Sequence, residues 1–287
     1  MLDIGFSSFY AFKRGETHVL SPEKTVRAGK VKSVFEAHRS RYGTRRLVAE
    51  LKADHGIDIG RRQTRTLMVA QNLRAIQPKS FVPKTTDSKH AFGRRENLLL
   101  GRDKPTRPDE VYVGDITYIP MQSGKFIYLA TWQDMFTRVI VGWELMESMK
   151  SDLAINALKK AIDRRRIPRG TIVHTDGGKQ YASKAFGQSL VPNGFVQSMT
   201  RKDNVYDNAM GESLFGRFKT ELMQNGAFKN FDDAYTEIFE YMEVYYNRKR
   251  RHSGIGHEIP ERFEKKYWQR KDSLRMIKLR EMLMKKK

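Results

Sequence analysis

Three short segments rich in β-branched and aromatic residues lie close together in the middle of the chain, and they constrain its fold more than any other feature. They cover residues 111–119, 126–132 and 137–143, and short turns at residues 122–124 and 134–136 separate them. Strands joined by turns this short pair in the antiparallel direction. The sequence therefore predicts a three-stranded antiparallel meander. Asp134 stands in the second turn, where we expect it to have a structural role.

The hydrophobic period changes to that of helices after the meander. The sequence then predicts, in this order, a helix, a short buried strand, a helix, a fifth strand and a helix, at residues 151–166, 171–174, 182–190, 195–198 and 204–222. Strands alternating with helices indicate an α/β layer structure. This order of elements is that of the ribonuclease H-like fold, in which helices flank a mixed five-stranded sheet.

A small all-α region precedes the predicted sheet. A helix is expected from Ser21-Pro22-Glu23, with Ser21 as N-cap, to about residue 40. A second helical pattern at residues 44–52 ends at His55-Gly56, and a third covers residues 61–72 with Arg61, Arg62 and Arg65 on its exposed side. This arrangement predicts a helix-turn-helix domain whose second helix enters the DNA major groove. The alternative is a small helical bundle with a solvated basic face.

The charge balance points to a polyanionic partner. The 287 residues include 54 Lys and Arg against 33 Asp and Glu, a formal net charge of +21. Cations that neutralise phosphates release condensed counterions, so nucleic acid is the expected partner. An ordinary basic protein of the ribosomal type is the alternative. The chain has no cysteine, which excludes disulfides, thiolate zinc sites and cysteine nucleophiles. No apolar run approaches the ~20 residues of a membrane span, so we expect a cytoplasmic protein without membrane association.

Changes in composition divide the chain into four regions. Residues 1–76 form the helical DNA-binding region, and residues 77–108 form a linker with four prolines and many basic residues. Residues 109–260 form the α/β domain, and residues 261–287 form a basic C-terminal tail.

Three carboxylates fall where the predicted fold could bring them together. Asp115 lies midway along the first strand, Asp176 follows the fourth strand, and Glu212 lies on the last predicted helix. Open α/β sheets place their sites at the carboxyl ends of strands. Clustered carboxylates repel one another, and hard cations such as Mg²⁺ or Mn²⁺ relieve that repulsion. Taken singly, each of the three is more often a cap, turn or salt-bridge residue.

The spacing of these carboxylates and several local strings resemble one superfamily, that of retroviral integrases and bacterial transposases with a DDE motif. Thirty-five residues separate Asp176 from Glu212, and Lys219 follows Glu212 by seven. Within this superfamily, the local strings are similar to those of second-frame transposases from two-frame bacterial insertion sequences. The strings that carry the resemblance are Asp115-Ile116-Thr117-Tyr118-Ile119, Ile140-Val141-Gly142-Trp143, His174-Thr175-Asp176-Gly177-Gly178-Lys179-Gln180-Tyr181, Asp207-Asn208-Ala209, Tyr246-Asn247-Arg248 and Arg251-His252-Ser253. One departure is Gly177-Gly178-Lys179, where the family usually has a more polar second residue and Ser or Thr at the third.

The resemblance implies a DDE transposase that cleaves DNA at transposon ends and transfers the strands into target DNA. Asp115 would bridge two Mg²⁺ (or Mn²⁺) ions, with Asp176 on one ion and Glu212 on the other. Further expected DNA contacts are Lys179, Asn208 and Lys219 near the site and Arg248, Arg250 and Arg251 after it. The implied partners are the terminal repeats and target DNA, further copies of the chain on that DNA, and the product of an upstream frame. The expected location is the nucleoid.

Two other functions stay open at this point. One is a ribonuclease H-fold nuclease that cuts DNA without joining it. The other is an inactive relative that only binds DNA.

Overall fold

The computed structural model describes residues 6–15, 21–77, 95–201, 209–223 and 226–284. The chain divides into two compact units, Met1–Gln77 and Pro78–Lys287. In these described ranges, no helix has the length and apolar character needed to cross a membrane.

The first unit is built from helices, as the sequence predicts. They are α1 (Phe6–Lys13), α2 (Pro22–Ala37), α3 (Thr44–His55) and α4 (Arg61–Ala70). The Ser21 side chain accepts a hydrogen bond from the Lys24 amide at the start of α2, and Gly56 ends α3 in the left-handed conformation. The apolar sides of α2, α3 and α4 share one core that includes Val31, Phe35, Tyr42, Leu47, Leu51 and Leu67.

The second unit contains a five-stranded sheet. Its strands are β1 (Val111–Pro120), β2 (Phe126–Asp134), β3 (Ile140–Met146), β4 (Ile172–Thr175) and β5 (Val196–Met199), in the spatial order β3-β2-β1-β4-β5. The pairs β1–β2 and β2–β3 are antiparallel, whereas β1–β4 and β4–β5 are parallel. The predicted mixed sheet and the ribonuclease H-like fold are confirmed. The third strand begins three residues later than predicted because the turn extends to Arg138.

Helices cover both faces of this sheet. They are α5 (Ser151–Arg164), α6 (Lys179–Ala182), α7 (Lys184–Leu190), α8 (Ala209–Leu222), α9 (Phe231–Phe239) and α10 (Pro260–Met284), with a π-helical stretch at Glu240–Tyr246 and a 3-10 turn at Ser253–Ile255. One core joins the sheet to α5, α6 and α7, and it includes Tyr112, Trp132, Leu153, Tyr181 and Phe186. A second core joins the sheet to α8, α9 and the π-helical stretch, and it includes Ile119, Leu129, Leu214, Phe218 and Tyr241. The apolar side chains of β1, β2 and β3 are therefore divided between the two cores, whereas β4 and β5 contribute Val173 and Met199 to the first core.

The two turns next to the sheet are fixed by polar side chains. The buried Asp134 carboxylate accepts hydrogen bonds from the backbone amides of Asp109, Phe136 and Thr137. Burial raises the pKa of Asp134 to about 6 although these hydrogen bonds act in the opposite direction. The structural role predicted for Asp134 is confirmed. Asn247 acts similarly at β3, since its amide bonds both the N–H and the carbonyl oxygen of Ile140.

The last helix begins against the α/β unit. Phe263 and Tyr267 pack on Phe136, with ring centroids 5.3 and 5.4 Å away. Arg165 bonds Asp109 at 2.8 Å and also pairs with Glu264 on α10. The first turns of the predicted basic tail are therefore part of this unit, whereas the side chains of residues 268–277 are exposed.

Gly142 lets α5 approach β3 closely. A Cβ atom on Gly142 would lie 2.2 Å from the carbonyl oxygen of Ala157 and 3.0 Å from the amide nitrogen of Ala161. We expect Gly142→Ala to lower the free energy of unfolding by about 1–3 kcal/mol, because backbone rather than a flexible side chain must move. Urea denaturation measures this change. Gly187→Ala on α7 is the matched control, since open space surrounds Gly187; equal stability of the two variants would contradict the close approach.

Candidate active site

Strand register brings Asp115 and Asp176 side by side. The parallel strands β1 and β4 pair from Val111 with Ile172 to Val113 with His174. Asp115 and Asp176 each follow that last pair by two residues. Because side chains two residues apart lie on the same face of a sheet, both carboxylates lie on one face and at one level.

Backbone amides orient both carboxylates locally. Asp115 Oδ1 accepts a hydrogen bond from the Ile116 amide at 2.9 Å, and Asp176 Oδ1 accepts one from the Gly178 amide at 3.0 Å. A Cβ atom on Gly178 would lie 3.0 Å from the same Asp176 oxygen. The glycine in the unusual Gly177-Gly178-Lys179 string therefore leaves room for the tight turn that holds Asp176.

Helix α8 brings the third carboxylate to the same region. Leu214, Phe215 and Phe218 are buried against the sheet. Glu212 in the first turn is exposed and Lys219 is half-buried, and their spacing of seven residues places them on one side of the helix. The structure describes this helix from Ala209 onward, so the predicted contact residue Asn208 lies outside the described residues.

Electrostatics show that these side chains act on one another. Burial, followed by the charges of Asp176 and Glu212, raises the pKa of Asp115 well above its usual range, while the Ile116 N–H and Lys219 act in the opposite direction. Burial lowers the pKa of Lys219, and the charge of Asp115 partly offsets that effect. Asp115 is therefore the centre of a coupled group of three carboxylates and one lysine.

The chemistry of this donor set fits a hard divalent cation. All three acidic side chains offer carboxylate oxygens, and their mutual repulsion is what a bound Mg²⁺ or Mn²⁺ would relieve. Among the described residues, no three His, Cys, Asp or Glu side chains stand close enough together to hold an ion as they are placed. A site made by Asp115, Asp176 and Glu212 therefore requires at least one of them to move.

Tyr181 is buried in the core that joins the sheet to α5, α6 and α7. Its side chain is 2% exposed, and its hydroxyl has no hydrogen-bond partner in the described part of the chain. Burial, followed by the charges of Asp176 and Asp115, raises its pKa well above the usual range.

The predicted DNA-contact residues differ in exposure. Arg61, Arg62 and Arg65 are exposed on α4, Lys179 is exposed at the start of α6, and Arg248 is exposed beside Glu261. Arg250 and Arg251 are 2% and 1% exposed. Arg250 donates to both Glu221 oxygens at 2.8 and 2.7 Å, and Arg251 donates to the His257 carbonyl oxygen at 3.0 Å. The burial of these two guanidinium groups argues against the direct phosphate contacts predicted for them.

Known protein families and individual relatives match most of this chain. Two models described as "Integrase core domain" match residues 105–205 and 212–267, and one described as "HTH-like domain" matches residues 23–81. The transposase for insertion sequence element IS904 of Lactococcus lactis is 38% identical over 85% of this chain and 95% of its own length. The transposase InsF for insertion sequence IS3A of Escherichia coli is 36% identical over 82% and 81% of the two chains.

Solved structures also include distant matches to this chain. A chain from the simian T-cell lymphotropic virus intasome in complex with PP2A regulatory subunit B56 gamma aligns with a TM-score of 0.47 at 16% identity. The alignment covers 82% of this chain and 74% of that one.

Proposed function

The chain belongs to the transposases of insertion sequences, and we propose that Asp115, Asp176 and Glu212 are the carboxylates with which it cuts transposon ends and joins them to target DNA. Membership of this family establishes the class of activity, because its members are transposases and the chain has an integrase core. The observation that supports the three residues is the coupling of Asp176 and Glu212 to the half-buried Asp115 on one face of the sheet. Residues of one catalytic site are expected to perturb one another in this way.

Each residue of the coupled group has a distinct task. In this proposal Asp115 would be the carboxylate shared by both halves of the site, whereas Asp176 and Glu212 would each hold one half. Two Mg²⁺ or Mn²⁺ ions, when bound by these carboxylates, would supply Lewis-acid activation of the attacking and leaving oxygens at phosphorus. Lys219, on the same side of α8 as Glu212, offers its ammonium group to a phosphate of the DNA end. Lys179, exposed beside the Asp176 turn, offers a second cation.

The DNA-binding surface of the first unit is the exposed side of α4. Arg62 and Arg65 project from this helix, and Arg61 lies at its start beside the Thr44 hydroxyl. We propose that α4 reads the terminal repeats and that copies of the chain assemble on them in the nucleoid. An upstream-frame product is proposed as a further partner. The HTH-like match at residues 23–81 and the net charge of +21 support binding to DNA.

The arginines of α4 give a prediction about binding. We expect Arg62→Ala combined with Arg65→Ala to weaken binding to terminal repeats and to lower the slope of log affinity against log salt by about 2, because each lost phosphate contact removes about 0.9. Fluorescence anisotropy at several salt concentrations measures both quantities. Arg27→Ala is the control, since Arg27 already pairs with Glu23 at 2.6 Å; an unchanged slope in the double variant would exclude α4 as the contact surface.

The function itself is tested by strand transfer. Labelled transposon ends, a supercoiled plasmid and Mg²⁺ are incubated with the full chain, and joined products are separated from simple cleavage products. A transposase gives joined products. Cleavage without joining would identify the chain as a nuclease of the same fold, and binding without cleavage would identify an inactive relative.

A further inference from the structure

A partly buried guanidinium group lies in the turn between β2 and β3. In the part of the chain that the structure describes, Arg138 forms no ion pair and its buried Nε atom has no hydrogen-bond partner. Asp134 stands in the same turn, but its carboxylate already accepts from the amides of Asp109, Phe136 and Thr137. A buried charge without a partner is unfavourable, so binding of an anion would stabilise this group.

The guanidinium group is enclosed by two elements of the second unit. Its Nη1 atom contacts the sulfur of Met210, in the first turn of α8, at 2.6 Å, and a thioether is only a weak acceptor. It also lies against the 3-10 turn Ser253–Ile255, where a Cβ atom on Gly254 would stand 3.3 Å from Arg138 Nε. Ser253 and Gly254 are exposed and Arg138 is only partly buried. An anion can therefore reach the group from solvent.

The backbone of Arg138 is fixed by several hydrogen bonds. Its amide donates to the Asp134 carbonyl oxygen at 2.9 Å. Its carbonyl oxygen accepts from Gln133 Nε2 at 2.9 Å, and the same nitrogen donates to the Tyr246 hydroxyl at 2.7 Å. Arg138 has a φ of 67°, a left-handed conformation that is unfavourable for a residue with a Cβ atom. The conformation of the turn therefore does not explain an arginine here, whereas a function of its side chain would.

A phosphate of DNA is the anion that fits this position. A guanidinium group presents parallel N–H groups that match two oxygens of one phosphate, and phosphates receive most hydrogen bonds in protein–DNA complexes. Met210 and Glu212 are two residues apart and lie on nearly opposite sides of α8. Arg138 therefore stands across the helix from Glu212, at about one helix width or ~10 Å. A DNA strand advances about 3.4 Å per nucleotide, so this width corresponds to about three nucleotides.

We propose that Arg138 binds a backbone phosphate of the transposon end on the side of α8 opposite Glu212, about three nucleotides from the bond that is cut. The inference rests on the proposed function, because it requires that the DNA end lies across α8. The contact positions the DNA and takes no part in the chemistry at phosphorus. The Ser253–Ile255 turn is then one wall of a phosphate site, although Arg250 and Arg251 just before it are buried.

Removal of the charge provides the first test. Arg138→Met in the full chain keeps the apolar stem of the side chain. We expect its melting temperature without DNA to equal or exceed that of wild type, since an unpaired cation is removed. In anisotropy with labelled ends, we expect affinity to fall about 10-fold and the slope of log affinity against log salt to fall by about 0.9. Arg138→Lys should restore the slope but only part of the affinity, because an ammonium group cannot bind two oxygens in parallel.

Uncharged methylphosphonate links locate the contact on the DNA. They replace one phosphate at a time on either side of the cut, and each DNA is bound to wild type and to Arg138→Met. We expect wild type to lose affinity at a position about three nucleotides from the cut. Arg138→Met should be insensitive to the link at that position, because two changes that remove the same contact are not additive.

Arg164→Met is the matched control. Arg164 lies on α5 and its guanidinium group already pairs with Glu243 at 2.6 Å, so this variant should keep the wild-type slope and the wild-type pattern of sensitive links. An unchanged slope in Arg138→Met, or the same sensitive links as wild type, would overturn the inference. A clear fall in the melting temperature of Arg138→Met would also overturn it, because Arg138 would then pair with a carboxylate of the chain. If wild type itself fails to bind labelled ends, the proposed function fails, and the inference with it.

Discussion

Asp115→Asn is expected to abolish both cleavage and strand transfer, with a rate loss of at least about 1,000-fold, and to leave DNA binding intact. The expected loss is large because Asp115 is the carboxylate on which the charges of Asp176 and Glu212 converge, and metal-held transition-state charge is worth several kcal/mol. Cleavage of labelled ends and anisotropy of the same DNA measure the two properties. Asp176→Asn and Glu212→Gln are expected to behave in the same way.

The same substitution is expected to stabilise the metal-free protein. The pKa of Asp115 in the folded protein lies above its unfolded value of about 3.9. The folded state therefore binds more protons than the unfolded state above that pH, and stability falls as pH rises. Asp115→Asn removes this penalty, so the variant should melt higher than wild type near pH 7 in EDTA and about equally near pH 4.

A surface carboxylate serves as the control for both effects. Asp163 is exposed on α5, and Asp163→Asn should change neither cleavage nor the pH profile of melting. Normal cleavage by Asp115→Asn would exclude the proposed site. Inactivity together with a lowered melting temperature near pH 7 would show that the variant acts by unfolding the chain rather than by removing a ligand.

The sheet could be predicted from the sequence because its signals are local. Each strand of the meander carries its own β-branched residues, and each turn carries its own turn residues. The two helices after Asp176 were harder to predict from the sequence. The sequence predicts one helix at residues 182–190, whereas the structure has two, α6 and α7. The break lies at Ser183, which is extended and caps α7 by accepting from the Phe186 amide. Helices of four and seven residues are too short to show a clear period.

The candidate site was predictable only in part. Asp115 and Asp176 stand out because strand order and spacing place them together before any side-chain position is known. The isolation of the Tyr181 hydroxyl depends on how Trp132 and Phe186 pack around its ring, which no local pattern encodes. Similarly, the sequence predicts that the basic residues after Asn247 are exposed to solvent. In the structure, the Arg250 guanidinium group instead bonds the carboxylate of Glu221, a residue 29 positions earlier in the chain.

Arg250→Met is expected to destabilise the α/β unit rather than to weaken DNA contacts. Its guanidinium group is 2% exposed, bonds both oxygens of the buried Glu221, and lies over the Tyr246 ring at 5.2 Å. Removing one partner of a buried ion pair leaves the other charge uncompensated, which costs about 3–5 kcal/mol. For a unit of this size the melting temperature should fall by roughly 10 °C. Scanning calorimetry of the full chain measures the change.

A second substitution shows whether the unpaired charge causes this loss. Glu221→Gln removes the charge and keeps an acceptor for the Tyr241 hydroxyl, so the double variant with Arg250→Met should regain much of the lost stability. Arg248→Met is the exposed counterpart, since its pair with Glu261 lies on the surface and contributes only about 0–1 kcal/mol. Arg248→Met should therefore melt like wild type and bind DNA less tightly. If Arg250→Met instead melted like wild type and lost DNA affinity, Arg250 would contact DNA as its position among basic residues first suggests, and the buried pair with Glu221 would not exist in solution.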